Sequence, residues 1–126
     1  DALSEPFLAV IRHFADRRQP VASVCVASLA LGAAGALAGR TATVYHQPGG
    51  KRRAQLESYG ARFVDQALVI DGNLISSTGP GTATEVAFAL LTDLTSEANS
   101  ARIRALMRVP RPAAAWWSEP QVPVSS

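Results

Sequence analysis

The chain has 126 residues, 48% hydrophobic and 17% charged, a balance that suits one globular domain and excludes a disordered segment. Its net charge is only +2, and its basic residues are scattered without interleaved aromatics, so no nucleic-acid partner is expected. Cys25 is the single cysteine, which excludes an internal disulfide and a cysteine-based zinc site.

Ser4 is a good N-cap, with Glu5 and Pro6 in the first turn, and Phe7, Leu8, Ile11, Phe14 and Ala15 recur at helical spacing. This predicts an amphipathic helix from Glu5 to about Arg17. The next stretch, "VASVCVASLALGAAGALAGR", is the longest run without charge before its final arginine. It has nearly the length of a membrane span, but Ala, Gly and Ser dominate it, so a span is not expected. Pro20 and the valines that follow predict a short buried parallel strand ending at Cys25. A close-packed small-residue helix comes next, ended by Gly39. "TATVYH" is a second strand, "QPGG" a loop, "KRRAQLESYG" a short exposed helix and "ARFV" a further strand. Two apolar runs flank Asp71-Gly72 and predict a hairpin. Thr82 and Glu85 have the spacing of a capping box before a helix. A last helix ends at Pro110, and residues 110–126 read as a proline-rich tail. Trp116 and Trp117 are expected to pack that tail on its own domain, the alternative being a partner surface. The alternation of strands and helices predicts an α/β domain with a mostly parallel sheet, yet few parallel strands are visible for a sheet covered on both faces.

Cys25 is the first candidate for chemistry. A helix N-terminus offers unpaired N–H groups and partial positive charge, which favour a thiolate and can hold an oxyanion. A small buried apolar role is the plain alternative for a free cysteine. His46 closes the next strand, and parallel strands present their C-terminal ends at one edge, so it is the candidate proton carrier. Tyr45 precedes it. Gly79, Pro80 and Gly81 form a loop before a helix that suits close approach of a ligand or anion. His13 reads as a surface residue, and Asp65, Asp71 and Glu85 have turn, hairpin and cap roles. No metal site and no cofactor are expected.

The segments "PVASVCVASLALGAAGALAGRTATVYH" and "VIDGNLISSTGPGTATEVAFALLTDL" resemble the ThiJ/PfpI superfamily, the class I glutamine-amidotransferase-like group. The first looks like its nucleophile-elbow region, the second like its C-terminal hairpin, glycine loop and helix. The resemblance covers Ala2 to about Leu106, with residues 1–109 as the C-terminal portion of such a domain. It implies a flavodoxin-like three-layer α/β sandwich with Cys25 as reactive cysteine. It also implies that the N-terminal strands, and an acidic residue that hydrogen-bonds the cysteine, lie outside this chain. A second polypeptide is therefore expected to complete the fold, and the completed domain to form a homodimer.

Some positions depart from the family. Val26 stands where protease-like members carry His and isocyanide-hydratase-like members carry Thr. Tyr45 stands at the usual histidine position, one residue before His46. What remains is a cysteine-dependent hydratase, hydrolase or lyase acting on a small electrophilic carbonyl compound, glyoxalase-like. In that reading Cys25 and His46 are catalytic, and Val26, Tyr45, Gly79, Pro80 and Gly81 bind substrate or oxyanion. The alternative is a non-catalytic redox-sensing or ligand-binding module built on an oxidisable Cys25. A regulator half is disfavoured, because no helix-turn-helix follows Pro110. The opening residues lack signal-peptide features, so a cytoplasmic location and no membrane partner are expected.

Overall fold

A computed structural model describes residues 4–120. Helix α1 spans Glu5–Asp16 and is followed by strand β1, Val21–Ala22. A 3-10 turn, Cys25–Ala27, leads into helix α2, Ser28–Ala33. Strand β2 (Thr41–Ala42), helix α3 (Arg52–Ser58) and strand β3 (Arg62–Phe63) come next. The hairpin is β4 (Leu68–Asp71) and β5 (Leu74–Ser77), and a second 3-10 turn, Pro80–Thr82, opens helix α4, Ala83–Leu94. Helices α5 (Glu97–Met107) and α6 (Ala114–Ser118) complete the order.

β5 is the centre. β1 pairs with it in parallel, with Val21 opposite Leu74, and β4 pairs with it antiparallel, giving the order β1-β5-β4. β2 and β3 form a separate parallel pair. Side chains alternate across a strand, and β5 uses both faces. Leu74 joins Leu8, Ile11, Leu31, Leu37, Val44 and Leu56 in one core. Ile75 joins Leu68 and Val86 in the other. Helices therefore cover the sheet on both sides, the three-layer α/β arrangement that the family resemblance implies. No helix among the described residues is long and apolar enough to cross a membrane.

Several local expectations need correction. The small-residue helix stops at Ala33 and does not run to Gly39. Gly35 takes φ +84°, its N–H bonds Gly32 O, and the Ala36 N–H bonds Leu31 O. That is a Schellman stop, which a glycine in the left-handed region allows. The capping box also does not form. The Thr82 hydroxyl donates to Gly79 O instead, and Glu85 is buried against Arg104. Arg104 in turn lies over the Phe88 ring and donates to Pro110 O, tying α4, α5 and the chain beyond together. Glu85 raises the pKa of Arg104 by hydrogen bonding to it, so the guanidinium stays charged. The proline-rich stretch contains a helix, α6. Residues 121–126 of the expected tail, and Asp1 to Leu3, lie outside the described residues.

On α1 only Leu8 and Ile11 are fully buried, and Ala15 is half-buried. Phe7, Val10 and Phe14 stay 42–54% exposed on a neighbouring face. The helix is amphipathic, but its apolar surface is wider than its contacts.

The close packing expected of α2 is found at Gly32, where an added Cβ would fall 2.3–2.9 Å from atoms of the Tyr59 ring and its Cβ. Gly32→Ala is expected to destabilise the domain by about 1–3 kcal/mol, because α2 and α3 must move apart; chemical denaturation measures it, and an unchanged midpoint would contradict this packing. Glu85→Ala strands the Arg104 guanidinium among buried groups and is expected to cost about 3 kcal/mol, with Glu85→Gln milder. Thermal unfolding of the two variants in parallel checks the order.

Candidate active site

The site is built where β1 runs out. Val24 is still extended, with φ −123° and ψ 139°. Cys25 then turns to φ +63°, a left-handed conformation that is uncommon outside glycine. Such a backbone costs about 1–3 kcal/mol and persists only where the surroundings enforce it. Here they do. The Tyr45 N–H donates to Cys25 O at 3.2 Å, and the Ala27 N–H to Val24 O at 3.2 Å. The hydroxyls of Ser23 and Ser28 meet at 2.8 Å across the bend, and both residues are buried. Ser77 of β5 donates to Ser23 O at 2.9 Å, which anchors the bend to the central strand. Cys25 is half-buried and unpaired, at the entry to the 3-10 turn that leads into α2.

Cys25 opens into a hollow of about 510 Å³ with Val26, Tyr45, Gln47, Lys51 and Arg52. Its charged lining is cationic, and no carboxylate among the described residues belongs to it. An anionic sulfur species or intermediate suits such a lining.

A second hollow, of about 280 Å³, shares Tyr45 with the first. His46, Thr78, Gly79, Gly81, Thr82 and Trp116 line it with Tyr45. His46 Nδ1 lies 2.8 Å from Val44 O. A carbonyl only accepts, so Nδ1 carries a proton. Nε2 is buried and sits 3.1 Å from an Asp65 carboxylate oxygen without forming a hydrogen bond. The ring also meets Phe63 edge-on, with centroids 4.9 Å apart.

Cys25, Val26 and Tyr45 thus share one hollow, while Tyr45, His46, Gly79 and Gly81 share the other. Tyr45 alone of these residues lines both. Pro80 is exposed, starts the second 3-10 turn and lines neither. Packing within the described residues does not explain the glycines of that loop. A Cβ at Gly79 would meet Tyr45 at an ordinary 3.6 Å, and one at Gly81 would meet nothing within 4 Å. Sequence reasoning missed Gln47, Lys51, Arg52 and Trp116. The run Lys51-Arg52-Arg53 reads as an exposed helix start, and nothing in the sequence signals that it borders the thiol. No group of three or more potential metal ligands occurs among the described residues.

The chain resembles known proteins on both sequence and structure. It is 36% identical to a deglycase of Thermococcus kodakarensis over 63% of this chain and 45% of that protein. It is 42% identical to an isonitrile hydratase of Pseudomonas putida over 68% of this chain and 35% of that protein. The structure superposes on Drosophila melanogaster DJ-1beta with a TM-score of 0.76 and 28% identity, covering 87% of this chain and 57% of that one. The chain therefore spans less than half the length of the two curated relatives named here. The model of the DJ-1/PfpI family matches residues 2–93, a stretch that holds the Cys25 bend, His46 and the glycine loop. The chain belongs to the DJ-1/PfpI family.

Proposed function

We propose that this chain carries the reactive centre of a cysteine-dependent hydratase or hydrolase acting on small electrophilic carbonyl compounds, with glyoxalase-like chemistry. The strained bend at Cys25, opening into a cationic hollow, is the observation that supports it most. The relatives named deglycase, isonitrile hydratase and glutathione-independent glyoxalase support the same class.

For a 2-oxoaldehyde the sulfur adds to the aldehyde carbon, and the carbonyl electron pair moves to oxygen. Backbone N–H groups at Val26 and in the Gly79–Gly81 loop are placed in this reading to hold that oxyanion. His46 Nε2 carries a proton from the first carbon to the second, leaving a thioester. Water then displaces the sulfur. The sum is aldehyde plus one water giving a 2-hydroxy acid, with no external oxidant or reductant. Cys25 and His46 line separate hollows that share Tyr45, so in this reading a water relays the proton between the substrate carbons and His46. A second reading is redox sensing: Lys51 and Arg52 would hold the charge of a sulfinate on Cys25.

The proposal includes a missing element. Among the described residues β1 is an edge strand with β5 as its one neighbour. Phe7, Val10 and Phe14 leave apolar surface uncovered on α1, and the thiol hollow lacks a carboxylate among the described residues. A strand-bearing segment beyond these 126 residues, on the same chain or a second one, is proposed to cover all three. The completed domain is proposed to dimerise.

Cys25→Ala and Cys25→Ser are expected to abolish turnover of methylglyoxal, losing at least about 10³-fold in kcat. Turnover that survives in Cys25→Ala defeats the nucleophile. If the wild type instead turns over nothing but gains oxygen at Cys25 under mild peroxide, the sensor reading takes its place. The missing element is tested by intact mass and sedimentation of active material. A lone 13.2 kDa species that is folded and active would show that no such segment is needed.

A further inference from the structure

We infer that the hollow lined by Tyr45, His46 and Trp116 is a subsite for an aromatic substituent of the substrate, and that Trp116 selects it. The inference rests on the proposed chemistry at Cys25 and adds a substrate class to it.

Trp116 comes from α6, beyond the stretch matched by the family model. Its indole is held edge-to-face by Trp117, with centroids 4.7 Å apart and planes at 89°. Trp117 in turn lines a groove beside Ile70, Phe88 and Arg104, so the pair is seated at both ends. Trp116 thus gives the hollow an aromatic wall, and the rings of Tyr45 and His46 line it as well.

The rest of the lining says what such a hollow takes. It contains no Lys, Arg, Asp or Glu. The Thr82 hydroxyl proton is spent on Gly79 O, and that of Thr78 points to Ala67 O at 3.4 Å. Charged side chains for an ionised headgroup are thus lacking, and the donors that remain, the Tyr45 hydroxyl, the Trp116 indole N–H and the His46 ring, all sit on aromatic rings. Space is not lacking. A 150 Å³ apolar cavity already admits benzene, and this hollow measures about 280 Å³. The open space over Gly81 lets a ring lie close to the backbone. Tyr45 lines both hollows, and in this inference a substrate with its carbonyl at Cys25 places its substituent past Tyr45 beside Trp116.

The chain has two tryptophans, so Trp117→Phe leaves Trp116 as sole emitter and Trp116→Phe leaves Trp117. Mandelate, the 2-hydroxy acid from phenylglyoxal, is titrated against lactate, that from methylglyoxal. The Trp117→Phe protein is expected to show a saturable fluorescence change with mandelate at concentrations about tenfold or more below those needed for lactate. Trp116→Phe is expected to show none. Equal responses to the two acids, or a matching response from Trp116→Phe, overturn the subsite. In turnover, the kcat/KM preference for phenylglyoxal over methylglyoxal is expected to fall about tenfold in Trp116→Ala; a preference left unchanged overturns the selective role. Repeating the titration with Cys25→Ala added separates the two ideas. Mandelate binding at Trp116 in a protein whose turnover does not need Cys25 keeps the subsite and removes the nucleophile.

Discussion

Everything that shapes the site hangs from one buried strand. All four residues of β5, Leu74 to Ser77, are buried, and each does something different. Leu74 and Ile75 anchor the two cores. The Ser76 hydroxyl accepts the Thr43 N–H at 2.9 Å, which fixes the segment leading to Tyr45 and His46. The Ser77 hydroxyl holds the carbonyl of Ser23, two residues before the thiol. Buried hydroxyls are tolerated only when bonded, so these serines specify where neighbouring segments must lie. The chain leaving β5 continues directly into the Gly79 loop. One strand thereby sets the thiol bend, the histidine and the glycine loop relative to each other.

The hairpin turn extends that control. The Asp71 carboxylate accepts the Thr41 N–H at 2.7 Å and faces Arg40 Nε at 3.4 Å. The bond from Thr41, then that from Arg40, hold the Asp71 carboxyl below the usual range. Its contribution to stability is present above the ordinary carboxylate pKa and fades as pH falls through the lowered one. Asn73 at the same turn donates to Gln19 O at 3.0 Å. The turn thus clamps the start of β2 and the approach to β1, and both strands deliver site residues at their other ends.

The broad layout was legible in the sequence because it follows from periodicity and turn chemistry. The apolar spacing of α1, the Asp71-Gly72 pair and the valines before Cys25 each declare themselves locally. The misses share a different cause. Glu85 has cap spacing, but a partner 19 residues away, Arg104, claims its carboxylate, and no local pattern reveals that. Gly39 looks like the end of α2, yet Gly35 reaches the left-handed region first. At the site, Cys25 and His46 could be named from strand ends, while Lys51, Arg52 and Trp116 arrive through tertiary folding from segments read as exposed helix and tail. Composition says that a residue can bind or react; only packing says where it is.

Tyr45 shows how tightly these levels are joined. Its amide holds the carbonyl of the strained Cys25. Its ring lies against Gly79, close enough that a Cβ there would be in contact. Its hydroxyl accepts from Gln47 at 3.0 Å. One residue therefore supports the backbone of the thiol bend, packs on the glycine loop and walls both hollows. A side chain that merely filled space between two pockets would be replaceable by any residue of similar size. This one couples the geometry of the thiol to the shape of the neighbouring hollow. A histidine at this position would keep the amide bond to Cys25 but leave a smaller ring on Gly79, and the partition between the hollows would thin. The shift of the histidine from position 45 to 46 is then more than a register slip: it places a larger wall beside the sulfur and moves the imidazole into the neighbouring hollow.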